Sequence, residues 1–324
     1  MVFEWTVIGG GPAGIASVGK LIDAGISPSA IAWVDPNFEV GDFGTAWGYV
    51  MSNTAVKYFQ KFYNACQAFN YSVSEKPNFI IDKNKLDQTC PLMIAAQPLT
   101  WITKQLLDIV HTFKDKVNEI KPHQNIWCLN LASKQKIETK KIIMAIGGDP
   151  KELSFPNIAT ISLKNALNHT KLLQEIKHDD YVVVFGSAQS ARSVIQNLAH
   201  VKAQKLVLLY RSEDSVKRHL DNEETPHIEK LEMTPKNLLT HMPKCSKAIY
   251  AIGFNRRHIP IYGLPDSYNY NKKTGEIAPN IYGIGMAFPE VIPYELGQIE
   301  YRVTAIWPFM KRLDKLLPFW LTAD

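Results

Sequence analysis

The sequence predicts an α/β protein built of two three-layer units, the second inserted into the first. Three observations predict it. A strand, a glycine-rich turn, a helix and a second strand open the chain, and the same pattern restarts near residue 181. Two apolar runs, TKKIIMAIG (139–147) and SKAIYAIGF (246–254), both end in Ala-Ile-Gly. The chain has 324 residues, of which 46% are hydrophobic and 21% charged, enough for one large core or two smaller ones.

The elements follow in order. Val2 to Ile8 is a mainly apolar run that reads as a buried strand, and Pro12 to Ala24 reads as a helix. Ile31 to Val34 is a short second strand, stopped by Asp35-Pro36. Together these have the length of a βαβ unit. Residues 55–69 and 101–117 are helix-periodic. The segment NIWCLNLASKQKIETKKIIMAIG reads as strand, turn, strand, with a third strand from Lys141 to Ile146. In the second pattern, Tyr181–Phe185 is a strand, about Ala188 to His200 a helix, and Lys205–Tyr210 a strand. NIYGIG (280–285) is a further strand ending in glycine. The simplest division is a discontinuous unit, 1–152 and 255–324, interrupted by an insert, 153–254.

The first turn contains Gly9-x-Gly11-x-x-Gly14 between strand and helix. Gly9 permits the tight turn, Gly11 lets a pyrophosphate approach the backbone, and Gly14 lets helix and strand pack closely. The phosphates would sit at the helix N-terminus, where unpaired N–H groups and the dipole favour anions. Asp35 follows roughly 20 residues beyond Gly14, where its carboxylate can accept the hydroxyls of an adenosine ribose. Strand, turn, helix and acid in one unit predict dinucleotide binding on a Rossmann-like domain. The alternative is a structural glycine turn with Asp35 capping a strand.

The second turn, GSAQSA, keeps Gly186 and replaces the next two glycines by Ala188 and Ala191. Ala191 is an allowed ending, whereas the Ala188 methyl stands where a pyrophosphate approaches. The strand that follows ends in Arg211, whose guanidinium fork suits a 2′-phosphate. A solvated arginine beside Glu213 is the alternative, as is a unit kept only as scaffold.

The net charge of +5 is mild and forms no Lys/Arg-rich block, which argues against a nucleic-acid groove and leaves room for one phosphate pocket. Cys66, Cys90, Cys128 and Cys245 are far apart, with no C-x-x-C, so a buried-thiol role in a reducing compartment is expected. The nine histidines show no metal-ligand spacing. With no signal-peptide pattern and no run long enough to span a bilayer, a cytoplasmic, soluble protein is the expectation. WPFMKRLDKLLPFWL, at the C-terminus, reads as short apolar pieces broken by Pro308 and Pro318, packed on the first domain or a dimer partner, with a membrane surface the alternative.

Taken together, the GxGPAG turn, the acid at the end of strand two, the variant turn at Gly186 and the two Ala-Ile-Gly strand ends resemble the two-dinucleotide-binding-domain flavoproteins. These include thioredoxin reductase-like enzymes and flavin-containing monooxygenases, and the resemblance spans essentially the whole chain. It implies an FAD-dependent NAD(P)H oxidoreductase. FAD would be held by Gly9, Gly11, Pro12, Ala13, Gly14 and Asp35 in a discontinuous domain. NADPH would be held in the insert by Gly186, Ser187, Ala188, Gln189 and Ala191, with Arg211 at the 2′-phosphate. Gly147 and Gly253 would mark the crossings between domains, and Gly285 the turn facing the flavin end of FAD.

The resemblance also separates the members. Disulfide-reducing relatives carry a redox cysteine pair that this sequence lacks. GYVMSNTAVKYFQKFY looks like the S-N-T/S stretch of flavin-containing monooxygenases, which places Asn53 as the catalytic amide near the flavin, with Trp47 and Tyr49 as pocket aromatics. Capping of the following helix by Ser52, Asn53 and Thr54 is the alternative. Three departures stand against a full match. The last motif reads Gly285-Met286 where the family usually has Gly-Asp, the F-x-G-x-x-x-H linker is absent, and 324 residues is short for a monooxygenase of this class. The expected reaction passes hydride from NADPH to the flavin and then to oxygen or a small-molecule substrate. The alternatives are a reductase serving a small redox protein and a non-catalytic nucleotide sensor.

Overall fold

The computed structural model describes residues 1–73, 75–220, 225–293 and 300–323. The chain forms two compact units. One comprises Met1–Gly48, Thr54–Gly148 and Arg256–Asp324, and the other Tyr49–Asn53 and Asp149–Asn255.

In the larger unit the first strand, Val2–Ile8, lies at the centre of the sheet. It pairs in parallel with Ile31–Val34 on one side (Trp5 opposite Ile31) and Lys136–Met144 on the other (Trp5 opposite Lys141). His111–Phe113 extends the sheet beyond Ile31–Val34, and Ile281–Gly283 extends it beyond Lys136–Met144. The start of Lys136–Met144 also pairs antiparallel with Ile126–Leu131, which pairs with Val117–His123. Strand side chains alternate between two cores. On one face Trp5, Val7 and Trp33 pack with Ile15, Val18, Phe59, Leu99, Leu313 and Trp320 from the helices. On the other Phe3, Ile8 and Val34 pack with Ile120, Leu129, Ile137, Ile259 and Phe288. Burial on both faces explains why Ile31–Val34 and the end of Lys136–Met144, residues 142–144, are apolar throughout.

The smaller unit has a parallel sheet in the order Ile228–Glu232, Lys205–Tyr210, Tyr181–Phe185, Lys247–Tyr250, Ala159–Ile161. Val183, Phe185, Val207, Leu209 and Tyr250 fill one of its faces.

Several expectations need correction. The helix expected over 101–117 runs over Leu92–Leu107. It starts before Trp101 because Pro98 is accommodated inside it, and it stops where Val110, Thr112 and Phe113 favour extended backbone. The helix expected over 55–69 is Val56–Tyr63 followed by a separate turn at Gln67–Phe69. The two strands expected within 136–146 are one strand, Lys136–Met144. The C-terminal segment is not broken by its prolines but is one helix, Ile306–Thr322. Pro308 falls in the first turn, where its missing N–H has no intrahelical partner in any case, and Pro318 is carried near the end. That helix packs into the helix-side core through Phe309, Leu313 and Trp320, and Lys20 bridges Asp314 at 2.8 Å. Lys141 secures its end by donating to the carbonyls of Trp320 at 2.9 Å and Ala323 at 2.6 Å.

Candidate functional site

The first glycine turn is fixed from behind. The Gly9 N–H donates to Val34 O at 2.8 Å, and the Trp33 indole N–H donates to Gly9 O at 2.9 Å. Gly9 has φ +113°, and a Cβ there would lie 2.3 Å from the carbonyl oxygen of Ala145. A Cβ on Gly14 would lie 1.9 Å from Gly9 O, so helix and strand meet backbone to backbone. Gly11 differs. It has an ordinary φ of −78°, and its nearest neighbour to an added Cβ is Val40 O at 3.9 Å. Gly9 and Gly14 therefore serve the packing of the turn, while Gly11 leaves open space in front of it.

The helix Pro12–Asp23 begins at that open face. Its N-cap is Gly11, no side chain caps it, and no acid stands in its first turn. Its leading N–H groups and positive dipole end are left for an anion. A cavity of about 150 Å³ opens there. It is lined by Gly9, Gly11, Pro12, Ala13, Asp35 and Gly147, all expected from the sequence, and by Trp47. Gly14 lies behind the wall, and Gly285 contributes through its neighbour Met286. Gly285 itself abuts the helix start, since a Cβ on it would sit 2.7 Å from the Ala13 Cβ. The cavity also takes in Gly41, Asp42, Phe43, Arg257, Thr304 and Phe309, which sequence reading did not assign. Only the glycine pair in VGDFG hinted at the first of these.

Asp35 already has backbone partners. One oxygen accepts from Gly10 N–H at 2.7 Å, and the other from Asn37 and Phe38 N–H at 2.9 and 2.7 Å. A carboxylate offers about four acceptor positions. The bonds draw the strand end onto the glycine turn, and little acceptor capacity is left for a ribose.

The second turn repeats the first in its hydrogen bonds. Gly186 N–H donates to Leu209 O at 3.0 Å, and Ala251 N–H to Phe185 O at 2.8 Å, as Ala145 N–H donates to Ile8 O at 2.8 Å. A Cβ on Gly186 would lie 2.2 Å from Ala251 O. The two Ala-Ile-Gly segments thus have one job, crossing behind their glycine turn. The helix Gln189–Leu198 starts at an uncapped Ala188. A cavity of about 310 Å³ is lined by Gly186, Ser187, Ala188, Arg211, Met233 and Gly253. Gln189 and Ala191 are not on its wall, and Ala191 is fully buried. Arg211 is exposed at the cavity, while Glu213 lies 3.7 Å from Lys217.

Asn53 lines neither cavity. It is exposed, in the segment Tyr49–Asn53 that groups with the smaller unit. The expected capping by Ser52, Asn53 or Thr54 is corrected: the N-cap of Val56–Tyr63 is Ala55, with no side-chain cap bond. Tyr49 is 68% exposed. No disulfide joins the four cysteines, and burial pushes the Cys66 and Cys90 thiols up and Cys245 up to about 11. None of these three is poised as a thiolate. Among the described residues no His/Cys/Asp/Glu group could hold a metal ion, and no helix is long and apolar enough to cross a membrane.

A family model for pyridine nucleotide-disulphide oxidoreductases matches residues 3–235. The chain belongs to that family. It is an oxidoreductase, and membership implies a flavoenzyme using FAD and NAD(P)H. A curated relative described as a monooxygenase, AgnR1 of Paecilomyces divaricatus, is 26% identical over 98% of this chain and 97% of its own. The fold is similar to a flavin-containing monooxygenase from Stenotrophomonas maltophilia (TM-score 0.60, 13% identity, 100% of both chains). It is also similar to Lactococcus lactis thioredoxin reductase (TM-score 0.58, 13% identity, 98% of this chain and 99% of that one). The family's two-domain Rossmann-like architecture is the one expected from the sequence.

Proposed function

We propose that the chain is an NADPH-dependent flavin enzyme of the monooxygenase type, with FAD in residues 1–152 and 255–324 and NADPH in 153–254. The observation that carries this is the pair of equivalent clefts, each with an uncapped helix start. One has a bare Gly11 face for a diphosphate, and the other an exposed Arg211 where a 2′-phosphate would lie. FAD, when bound, accepts hydride from the nicotinamide and passes electrons on to oxygen or a small substrate.

The residues present fit the cofactor. Gly11 and Ala13 offer backbone N–H groups at the helix start, Gly9 and Pro12 complete a wall of small residues, and Gly285 brings a second turn against the same helix start. Ala188 leaves its methyl exposed at the mouth of the other cleft, so the nucleotide there rests on Gly186, Ser187 and Arg211. Asn53, which the resemblance would put near the flavin, lines neither cleft and carries no part of this reading. The family name includes disulfide chemistry, but the sequence has no C-x-x-C pair, and a curated relative that matches it is described as a monooxygenase. Both favour oxygen or a small molecule as the electron acceptor.

The test is reconstitution with FAD, followed by spectra before and after anaerobic NADPH or NADH and then by oxygen uptake. The expected protein is yellow, bleaches faster with NADPH, and consumes oxygen as it re-oxidises. Arg211→Glu is expected to weaken NADPH by about tenfold or more while sparing NADH. Protein that stays colourless after reconstitution would overturn the reading.

A further inference from the structure

Arg257 stands in the first cleft with no part in the family motifs, and the inference about it rests on the reading of that cleft as the FAD site. Its backbone N–H donates to Gly147 O at 3.1 Å, and its guanidinium donates to Asp42 Oδ2 at 2.7 Å. Among the described residues lining the cavity, Arg257 is the only basic one, facing two acids, Asp35 and Asp42. The pair is close to the glycine turn. A Cβ on Gly41, the residue before Asp42, would lie 3.2 Å from the Gly11 Cα.

The charges in this cleft need a cation. A diphosphate brought to the Gly11 face meets the helix dipole, worth about half an elementary charge, and a carboxylate at Asp42. Two like charges at such range repel by about 1 kcal/mol even in water and by more in a cleft. The Arg257 guanidinium is a permanent cation with a planar donor fork, the geometry that recognises phosphate oxygens. We propose that Arg257 is a diphosphate-binding residue of the FAD cleft, and that Asp42 holds its guanidinium in position beside the glycine turn.

The experiment is equilibrium titration of the flavin-free chain with FAD at low and high salt, read by flavin fluorescence, for wild type, Arg257→Ala, Arg257→Gln and Arg257→Lys. Thermal melting of each flavin-free variant checks that it folds. The Ala and Gln variants are expected to bind FAD about tenfold more weakly or worse, with a flatter salt response. The Lys variant keeps the charge and is expected to recover the wild-type salt response. Wild type that takes up no FAD would overturn the cofactor reading and this inference with it. Wild type that binds FAD, with the Ala and Gln variants within about twofold and equally salt-sensitive, would overturn this inference alone.

Discussion

Met286 lines the first cleft at the turn where the resembling flavoproteins carry an acid that bonds the cofactor's ribityl chain. A thioether cannot accept such a bond with comparable strength. Met286→Asp is therefore expected to tighten FAD binding by the worth of one hydrogen bond, about 1 kcal/mol or roughly fivefold. Fluorescence titration reads it. An unchanged or weakened affinity would place the ribityl chain away from this turn. Residue types spoke clearly where backbone sterics demand them. Gly9 and Gly186 must be glycine because a carbonyl oxygen lies 2.3 and 2.2 Å from where a Cβ would stand, and both were legible as turns. Asp35 was legible as an acid at a strand end. Its bonds to Gly10, Asn37 and Phe38 were not, because they depend on how the loop folds back.

The βαβ openings were readable at element scale because strands buried on both faces leave long apolar runs and the helices between them are periodic. Val2–Ile8, Ile31–Val34, Tyr181–Phe185 and Lys205–Tyr210 fall where the sequence puts them. Short peripheral strands such as His111–Phe113 and Ala159–Ile161 were not readable, since three residues carry no period. Prolines misled at Pro308 and Pro318: the first falls in a helix's first turn, where proline is tolerated, and the second is carried near its end. Asp42 and Arg257 are 215 positions apart in the chain and meet only through the sheet topology, so no local motif announces them.

One buried acid governs an element of the smaller unit. Asp180, before the strand Tyr181–Phe185, accepts from Lys177 N–H at 2.7 Å and Ser246 Oγ at 2.9 Å, with Lys247 Nζ at 3.2 Å. Burial acts to raise its carboxyl, but these partners outweigh burial and hold it below the usual range. A carboxylate depressed in the folded state stabilises above its unfolded value, about 3.9, and loses that contribution as pH falls through the lower folded one. Melting of the smaller unit followed from neutral pH into acid should therefore weaken below about pH 4 in wild type. Asp180→Asn should lower stability at neutral pH by about 1–3 kcal/mol and lose that part of the acid dependence. Equal acid sensitivity in the variant would assign the effect to other carboxylates.

At the scale of the whole molecule, the chain repeats one device in two units: an uncapped helix start behind a glycine turn, braced by an Ala-Ile-Gly crossing. A ligand that binds only the folded form stabilises by mass action, about 2.7 kcal/mol at a hundred times its dissociation constant. FAD and NADPH should thus protect the larger and smaller units separately. The sharpest test of the central claim separates Gly11 from Gly9. Gly11→Val adds a side chain into open space at an ordinary backbone angle, whereas Gly9→Ala drives a methyl into Ala145 O at φ +113°. Melting and FAD titration of Gly11→Val should show a flavin-free fold close to wild type and an affinity reduced by about tenfold or more, while Gly9→Ala loses stability first. A Gly11→Val chain that binds FAD as wild type does would contradict the account, because the diphosphate would then lie somewhere other than the mouth of the first helix.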